Sequence, residues 1–306
     1  MEHEFLCRGA CVRICNGEVE VLTDPAVRHC PYVEAVYGIR HIDREAVKRI
    51  VKLRMERFGF CRPHRSFDFG LVVPFGSSEI ISVCMKEGLL DCAVTVCEGA
   101  GTVISWDPDL EQGIGARLTG ILRTSPIKEI VHYIREHGGA PLDAEHATIN
   151  QPLGVERAIE MGFKRIAVTV IGPRARDIPK IRRIERRHEN VKVAVFSTCN
   201  TLVRPEDVEC LEMADFVCSS ASKIVRERIG PKAKMQLGVS IPVFILTDFG
   251  KALALTYLMR VKANLVVFRA RMPYIVEGKQ PVLREEPSLE GENKKSFKGL
   301  AGGLSL

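Results

Sequence analysis

The chain has 306 residues, 46% hydrophobic and 27% charged, with a formal net charge of +6. That length and balance describe a water-soluble globular protein with a full core, in one large domain or two ordinary ones. The positive charge is too dilute for a dedicated nucleic-acid binder, and no apolar run approaches the length of about 18 residues that a membrane span needs, so neither nucleic acid nor membrane is expected as a partner.

The opening residues, MEHEFLCRGA, carry acids and no apolar leader, which points to a cytoplasmic location where the 11 cysteines stay reduced. Cys7, Cys11 and Cys15 recur at a regular spacing that would suit a metal cluster on a helix. Asn16-Gly17 instead marks a tight hairpin turn, because both residues accept positive φ, and ACVRIC and EVEVL flank it as strands. On a strand, cysteines four apart are separated by about 13 Å, too far to share one metal. A hairpin is therefore expected, with no cluster.

A loop-rich stretch through Cys30-Pro31 leads to a helix, DREAVKRIVKLRMERF, with Asp43 at its N-cap, Ala46, Val47, Ile50, Val51 and Phe58 in its apolar stripe, and Gly59 at its end. FGFCRPHRSFDFG is a loop. Ser77 or Ser78 is expected to cap a short helix closed by Gly88. LLDCAVTVC forms a buried strand, and TVISW a second one after the glycine turn EGAG. TSPIKEIVHYIREHGG is a helix with Thr124 or Ser125 at its cap, and GVERAIEMG another. A regular alternation then begins: strand RIAVTVIG, a basic helix over 175–189, strand VKVAVFST, helix PEDVECLEMA, strand DFVCS, helix ASKIVRERIG, strand IPVFILT, helix DFGKALALTYLMR and strand ANLVVFR. Continuous apolar strands between amphipathic helices imply a parallel sheet covered on both faces. The expected class is α/β. A doubly wound, mostly parallel, Rossmann-like sheet occupies 151–284, after an N-terminal α+β region over 1–150 that starts in a β-hairpin. A polar, flexible tail covers 285–306.

In open parallel sheets ligands bind beyond the carboxyl ends of the strands. That rule selects Thr198 and Cys199 after one strand, and Ser219, Ser220, Ser222 and Lys223 after the next, a set suited to a small anionic ligand. The alternative is that the serines only cap the helix and Lys223 is solvated. CEGAG lacks the third glycine of a dinucleotide fingerprint and precedes a strand, so it is either a tight turn or a place where Gly99 and Gly101 bring backbone close to Cys97 and Glu98. A thiol and a carboxylate at a strand end could activate a substrate or bind metal. Cys30, Cys61 and His64 lie in proline-bearing loops and have the donor types of a zinc or iron–sulfur site, with separate structural roles as the competing reading. Cys84, Cys92 and Cys210 fall in apolar elements and belong to the core. The basic helix carries no interleaved aromatics and reads as a solvated face.

The segments HCPYVEAVYGIRHIDREAVK, RFGFC, KEGLLDCAVTVCEGAGTVISWDPDLEQGIGARLTGILRTSPI, AIEMGFKRIAVTV, ADFVCSSASKIVRE and LGVSIPVFILTDFGKAL, in order over about residues 28–260, resemble the methanogenesis marker protein 8 family. DCAVTVCEGAGTV and QGIGARLTGI are the most specific blocks. The resemblance implies an archaeal accessory protein of methanogenesis, with methyl-coenzyme M reductase or its maturation factors as partners. It transfers no reaction. Its matched positions are Cys30, Cys61, Asp91, Cys92, Cys97, Gly99, Gly101 and Lys223, which adds Asp91 to Cys97 and Glu98 as a catalytic candidate. Three roles compete: an accessory protein with a metal, iron–sulfur or thiol site near Cys97, an enzyme acting on a small anionic or nucleotide-like ligand, and a non-catalytic scaffold.

Overall fold

The structure is a computed structural model and describes residues 1–67, 70, 72–116, 120–276 and 278–284. The tail expected over 285–306 and the middle of the QGIGARLTGI block lie outside the described residues. The chain begins with strands β1 (Glu2–Cys7), β2 (Ala10–Cys15), β3 (Glu18–Val21) and β4 (Val27–His29), then helices α1 (Pro31–Tyr37), α2 (Arg44–Phe58) and α3 (Ser77–Lys86). It continues through β5 (Cys92–Cys97), β6 (Gly101–Ser105), α4 (Pro108–Gly115), β7 (Gly120–Thr124), α5 (Lys128–Glu136), β8 (Gly139–Pro141) and α6 (Gln151–Glu160). The rest runs β9 (Arg165–Ile171), α7 (Asp177–Arg186), β10 (Lys192–Thr198), α8 (Val208–Leu211), β11 (Phe216–Cys218), β12 (Met235–Leu237), β13 (Val243–Ile245), α9 (Asp248–Arg260) and β14 (Val282–Leu283).

The N-terminal hairpin forms as its turn dictates. Asn16 and Gly17 sit at φ 50° and 86°, and β2 pairs antiparallel with β3. Cys11 and Cys15 share the face opposite Ala10, Val12 and Ile14, which enter the core, and Cys15 is exposed. β1 extends the hairpin on one side and β7 joins beyond it, giving a four-stranded sheet in the order β3-β2-β1-β7. α2 begins at Asp43, whose carboxylate accepts from the Ala46 amide at 2.7 Å, and ends at Gly59 in the left-handed region.

The large sheet has eight strands in the order β12-β13-β11-β10-β9-β5-β6-β8. Its centre is parallel: β5 with β9, β9 with β10, and β10 with β11. Its flanks are antiparallel. Strands from both sides of residue 150 share it. Alternation along the central strands loads both faces, as period-two geometry requires. Val168, Val193 and Val195 pack under α6 and α7, whereas Ala167, Ala194 and Phe196 pack under α3 and α9.

Several local expectations are corrected. IPVFILT runs antiparallel to β11, because β12 and β13 form a hairpin that takes the sheet edge. ANLVVFR is no strand: with that edge occupied, Val266 and Val267 stand 87% and 83% exposed. Gly76, not Ser77 or Ser78, precedes α3, and Ile127 precedes α5, because Thr124 is drawn into β7. The segment after Lys223 winds as a π-helix over Val225–Ile229. No helix among the described residues is long and apolar enough to cross a membrane.

Candidate functional site

The four parallel strands end on one rim, and the N-terminal sheet covers it. Gly99 in the turn after β5 donates its amide to Thr124 Oγ1 at 2.8 Å and accepts from the Ile127 amide at 2.8 Å. Arg174, just past β9, reaches the carbonyls of Ile149 and of Leu122 in β7. Beyond β10, a Cβ on Gly120 would lie 3.3 Å from Cys199 Cβ. Three separate contacts thus close the layer between the two sheets, and some of the candidate residues fall inside it.

At the β5 end lies a buried polar centre. Arg65, from the loop after α2, pairs through Nε with Glu98, and their side chains are 2% and 3% exposed. The same guanidinium donates to the carbonyls of Gly113 at 3.1 Å, Ile114 at 3.2 Å and Ser66 at 3.0 Å, and stacks 4.1 Å over the Phe67 ring. Every arm of the fork is therefore used, which is how a protein tolerates a buried ion pair. Burial opposes the Arg65 charge, but Glu98 and Cys97 beside it outweigh that and hold its pKa above the usual range. Cys97 Sγ lies 3.9 Å from Glu98 Oε2. Burial raises the Cys97 pKa, Arg65 pulls it back and Glu98 pushes it up again. Cys61 sits at φ 57°, buried in the same layer, and its pKa is raised by burial and then by the Glu98 carboxylate. Both thiols are thus protonated and guarded in this conformation. A hollow lined by Arg54, Phe58, Phe60, Arg65, Ser66 and Glu98 opens beside them, about 200 Å3 including space open to solvent and too narrow to take a water molecule.

Next to this centre Glu111 is fully buried and accepts from Thr95 Oγ1 at 2.8 Å and Ser105 Oγ at 2.7 Å. Burial raises its pKa to about 7 against those two hydrogen bonds. It faces the middle of the β5–β6 hairpin and supports the centre from behind.

At the β10 and β11 ends, Cys199 and Ser220 both adopt left-handed backbone, φ 52° and 48°. The buried Asn200 latches the two loops: its amide donates to Ser220 Oγ at 3.0 Å and its Nδ2 to the Cys218 carbonyl at 2.8 Å. Burial pushes the Cys199 thiol up to about 11, and Cys218 adds to the rise. Ser222 Oγ accepts from the Val225 amide at 3.2 Å, and Ser219 is fully buried with its amide on the Pro242 carbonyl at 2.7 Å.

The structure therefore brings Cys61, Cys97 and Glu98 together, and Thr198 and Cys199 beside Ser219 and Ser220. It separates others from them. Asp91 lies at the opposite end of β5 from Cys97 and clamps β9 by bonds to Arg165 and to the Lys164 and Arg165 amides at 3.0 and 2.8 Å. It is a strand clamp, not a partner of the thiol. Lys223 is largely solvated, 3.6 Å from Glu227, and stays out of the rim. Gly99 and Gly101 serve close packing: a Cβ on Gly101 would lie 2.2 Å from the Ala147 carbonyl oxygen. Cys30 and Cys61 pack in the apolar core under α2 while His64 is exposed, so the donor set proposed for zinc or an iron–sulfur centre does not converge. Among the described residues no group of three or more His, Cys, Asp or Glu side chains is arranged to hold a metal ion. Arg65 and Glu111 escape sequence reasoning, because an arginine in a loop and a glutamate in an amphipathic helix look solvated until tertiary structure buries them.

A wider groove of about 550 Å3 lies at the opposite end of the central strands, lined by Arg182, Lys192, Asp215 and Thr247 among others. Its buried carboxylate, Asp215, is satisfied by Arg182 at 2.6 Å, the Val195 amide at 2.8 Å and Thr247 Oγ1. That is a closed network at the strands' amino ends.

The model of a family described as "Uncharacterized protein conserved in archaea (DUF2099)" matches residues 3–259. A relative, "Uncharacterized protein MJ0054" of Methanocaldococcus jannaschii, is 37% identical over 241 residues, which is 78% of this chain and 84% of the relative.

Proposed function

The chain belongs to that archaeal family, and on this premise we propose that it is an accessory protein of methanogenesis acting through the guarded thiols Cys97 and Cys61. The partner class is methyl-coenzyme M reductase or one of its maturation factors. The observation that carries the reading is the Arg65–Glu98 pair, buried beside both thiols. An ion pair in an apolar layer is weak as a source of stability. Perturbed titratable groups at a strand-end rim are the usual mark of a site.

The chemistry follows from the charges. In the closed state the thiols are protonated, which keeps them from oxidation and stray alkylation. Glu98 is placed to take the Cys97 proton, and Arg65 to hold the thiolate that remains. Opening of the layer to water, with Arg65 still on Glu98, would hydrate the site, lower the Cys97 pKa and free a nucleophile toward the bound partner. A thiol role is preferred to a metal role because the candidate donors do not converge.

The test is thiol labelling by mass spectrometry under anaerobic conditions. In the isolated protein Cys15 should alkylate at once while Cys97 and Cys61 resist. Addition of purified methyl-coenzyme M reductase complex should speed Cys97 labelling at least tenfold. Unchanged protection of Cys97 with the complex bound or present would overturn the proposal.

A further inference from the structure

The rim holds a second polar feature that the Cys97 centre does not use. Thr198, the last residue of β10, is 7% exposed, and its hydroxyl has no hydrogen-bond partner among the described residues. It lies beside the Cys199 thiol, whose ionised form it favours. Across the layer, in the β1–β2 turn, Arg8 adopts φ 55°. Its Nε is buried with no hydrogen-bond partner among the described residues, and its guanidinium lies over the Tyr32 ring at 5.7 Å. No carboxylate among the described residues forms an ion pair with it. Arg8 and Thr198 both act on the Cys199 thiol, one from each sheet.

Buried donors are nearly always satisfied, and an orphaned one needs a reason. Here a hydroxyl and one guanidinium nitrogen, Arg8 Nε, both lack a partner around the Cys199 thiol. They sit at the carboxyl ends of parallel strands, where α/β sheets take ligands. The flanking loops are built on two left-handed non-glycine residues, Cys199 and Ser220. Such strained backbone persists where the surroundings hold it, as the Asn200 latch does here. The latch consumes Ser220 Oγ and the loop carbonyls, and leaves Thr198 Oγ1 free.

We infer that Arg8, Thr198 and the backbone around Cys199 form a binding site for a small oxyanion, a phosphate or carboxylate group, enclosed between the N-terminal hairpin turn and the β10 rim. Arg8 supplies the countercharge and Thr198 a hydroxyl donor, so each orphan is satisfied by one ligand. Cys199 stands at the ligand's edge. This inference goes beyond the Cys97 reading and does not depend on it.

Equilibrium dialysis of the full chain with radiolabelled inorganic phosphate, and in parallel with acetate, tests it. One saturable equivalent per chain is expected for at least one of the two, and the better binder identifies the oxyanion. Arg8→Gln should weaken that binding at least tenfold, and Thr198→Val severalfold. In the wild-type protein the better-binding anion should also slow iodoacetamide labelling of Cys199 at least fivefold and leave Cys15 unchanged, a readout that survives any folding defect in the variants. Absence of saturable binding of both anions below 10 mM (roughly the weakest affinity two charge-assisted bonds would give) would overturn the inference. So would Cys199 labelling indifferent to either anion, or binding unaltered in Arg8→Gln.

Discussion

Arg65→Met removes one member of the buried pair and keeps most of the apolar stem. Glu98 would then be a carboxylate 3% exposed with its guanidinium partner gone. Breaking a buried pair in this way costs about 3–5 kcal/mol. The carbonyls of Gly113 and Ile114 also lose their charged donor, which adds roughly 1 kcal/mol. A total of about 4–6 kcal/mol in a chain this long corresponds to a drop in Tm on the order of 6–9 °C. Thermal and urea unfolding of the single variants and of Arg65→Met/Glu98→Leu would measure it. The double variant should recover stability relative to the sum of the singles, with a coupling of at least about 2 kcal/mol. A loss under about 1 kcal/mol for Arg65→Met, or strict additivity, would refute the claim that the pair is buried and mutually dependent.

Glu111, pushed by burial from the usual 4.5 to about 7, favours the folded state most when protonated. Its contribution is fully present below the unfolded pKa and fades as pH rises to about 7, so Glu111→Gln should flatten stability between those pH values and raise it at pH 8 by about 3 kcal/mol, read from urea midpoints. His3 works in the opposite sense: burial lowers it from 6.5 to about 4, so its contribution is present above the unfolded value and is lost as pH falls toward 4, a loss His3→Gln should remove. Gly101→Ala combines positive φ with a clash on the Ala147 carbonyl and should cost roughly 3 kcal/mol, with soluble yield and Tm as readouts. Asp91→Asn loosens the β5–β9 clamp, a half-exposed one, and should lower stability by about 1 kcal/mol without changing Cys97 labelling by the reductase complex; a changed labelling rate would return Asp91 to the site.

The fold was legible where local chemistry and tertiary role agree. Asn16-Gly17 permits one turn, and Asp43 and Gly59 bracket α2 as caps do. The strands β9 and β10 are mostly apolar and buried past their first residue because both faces are covered. Legibility failed where the same local pattern serves two pairings. IPVFILT is as apolar as a parallel strand, but only the β12 partner decides its direction. ANLVVFR has the composition of a strand and no edge to join. At the site, the strand-end rule placed Cys97, Thr198 and Cys199 on one rim. It could not supply Arg65 or Arg8, because those arrive from loops whose approach depends on how the N-terminal sheet docks. Lys223 failed for the converse reason: it follows a rim loop in sequence, yet the helix that starts there turns it to solvent.

The account rests on Cys97 as the working thiol, and the most direct measurement is the specific activity of methyl-coenzyme M reductase purified from an archaeal host in which this chain carries Cys97→Ser. Cys84→Ser, at a buried cysteine on α3, serves as the matched control. The account predicts at least a severalfold loss of reductase activity with Cys97→Ser and near wild-type activity with Cys84→Ser, at equal abundance of both variants. Equal, undiminished activity in the two strains would contradict it.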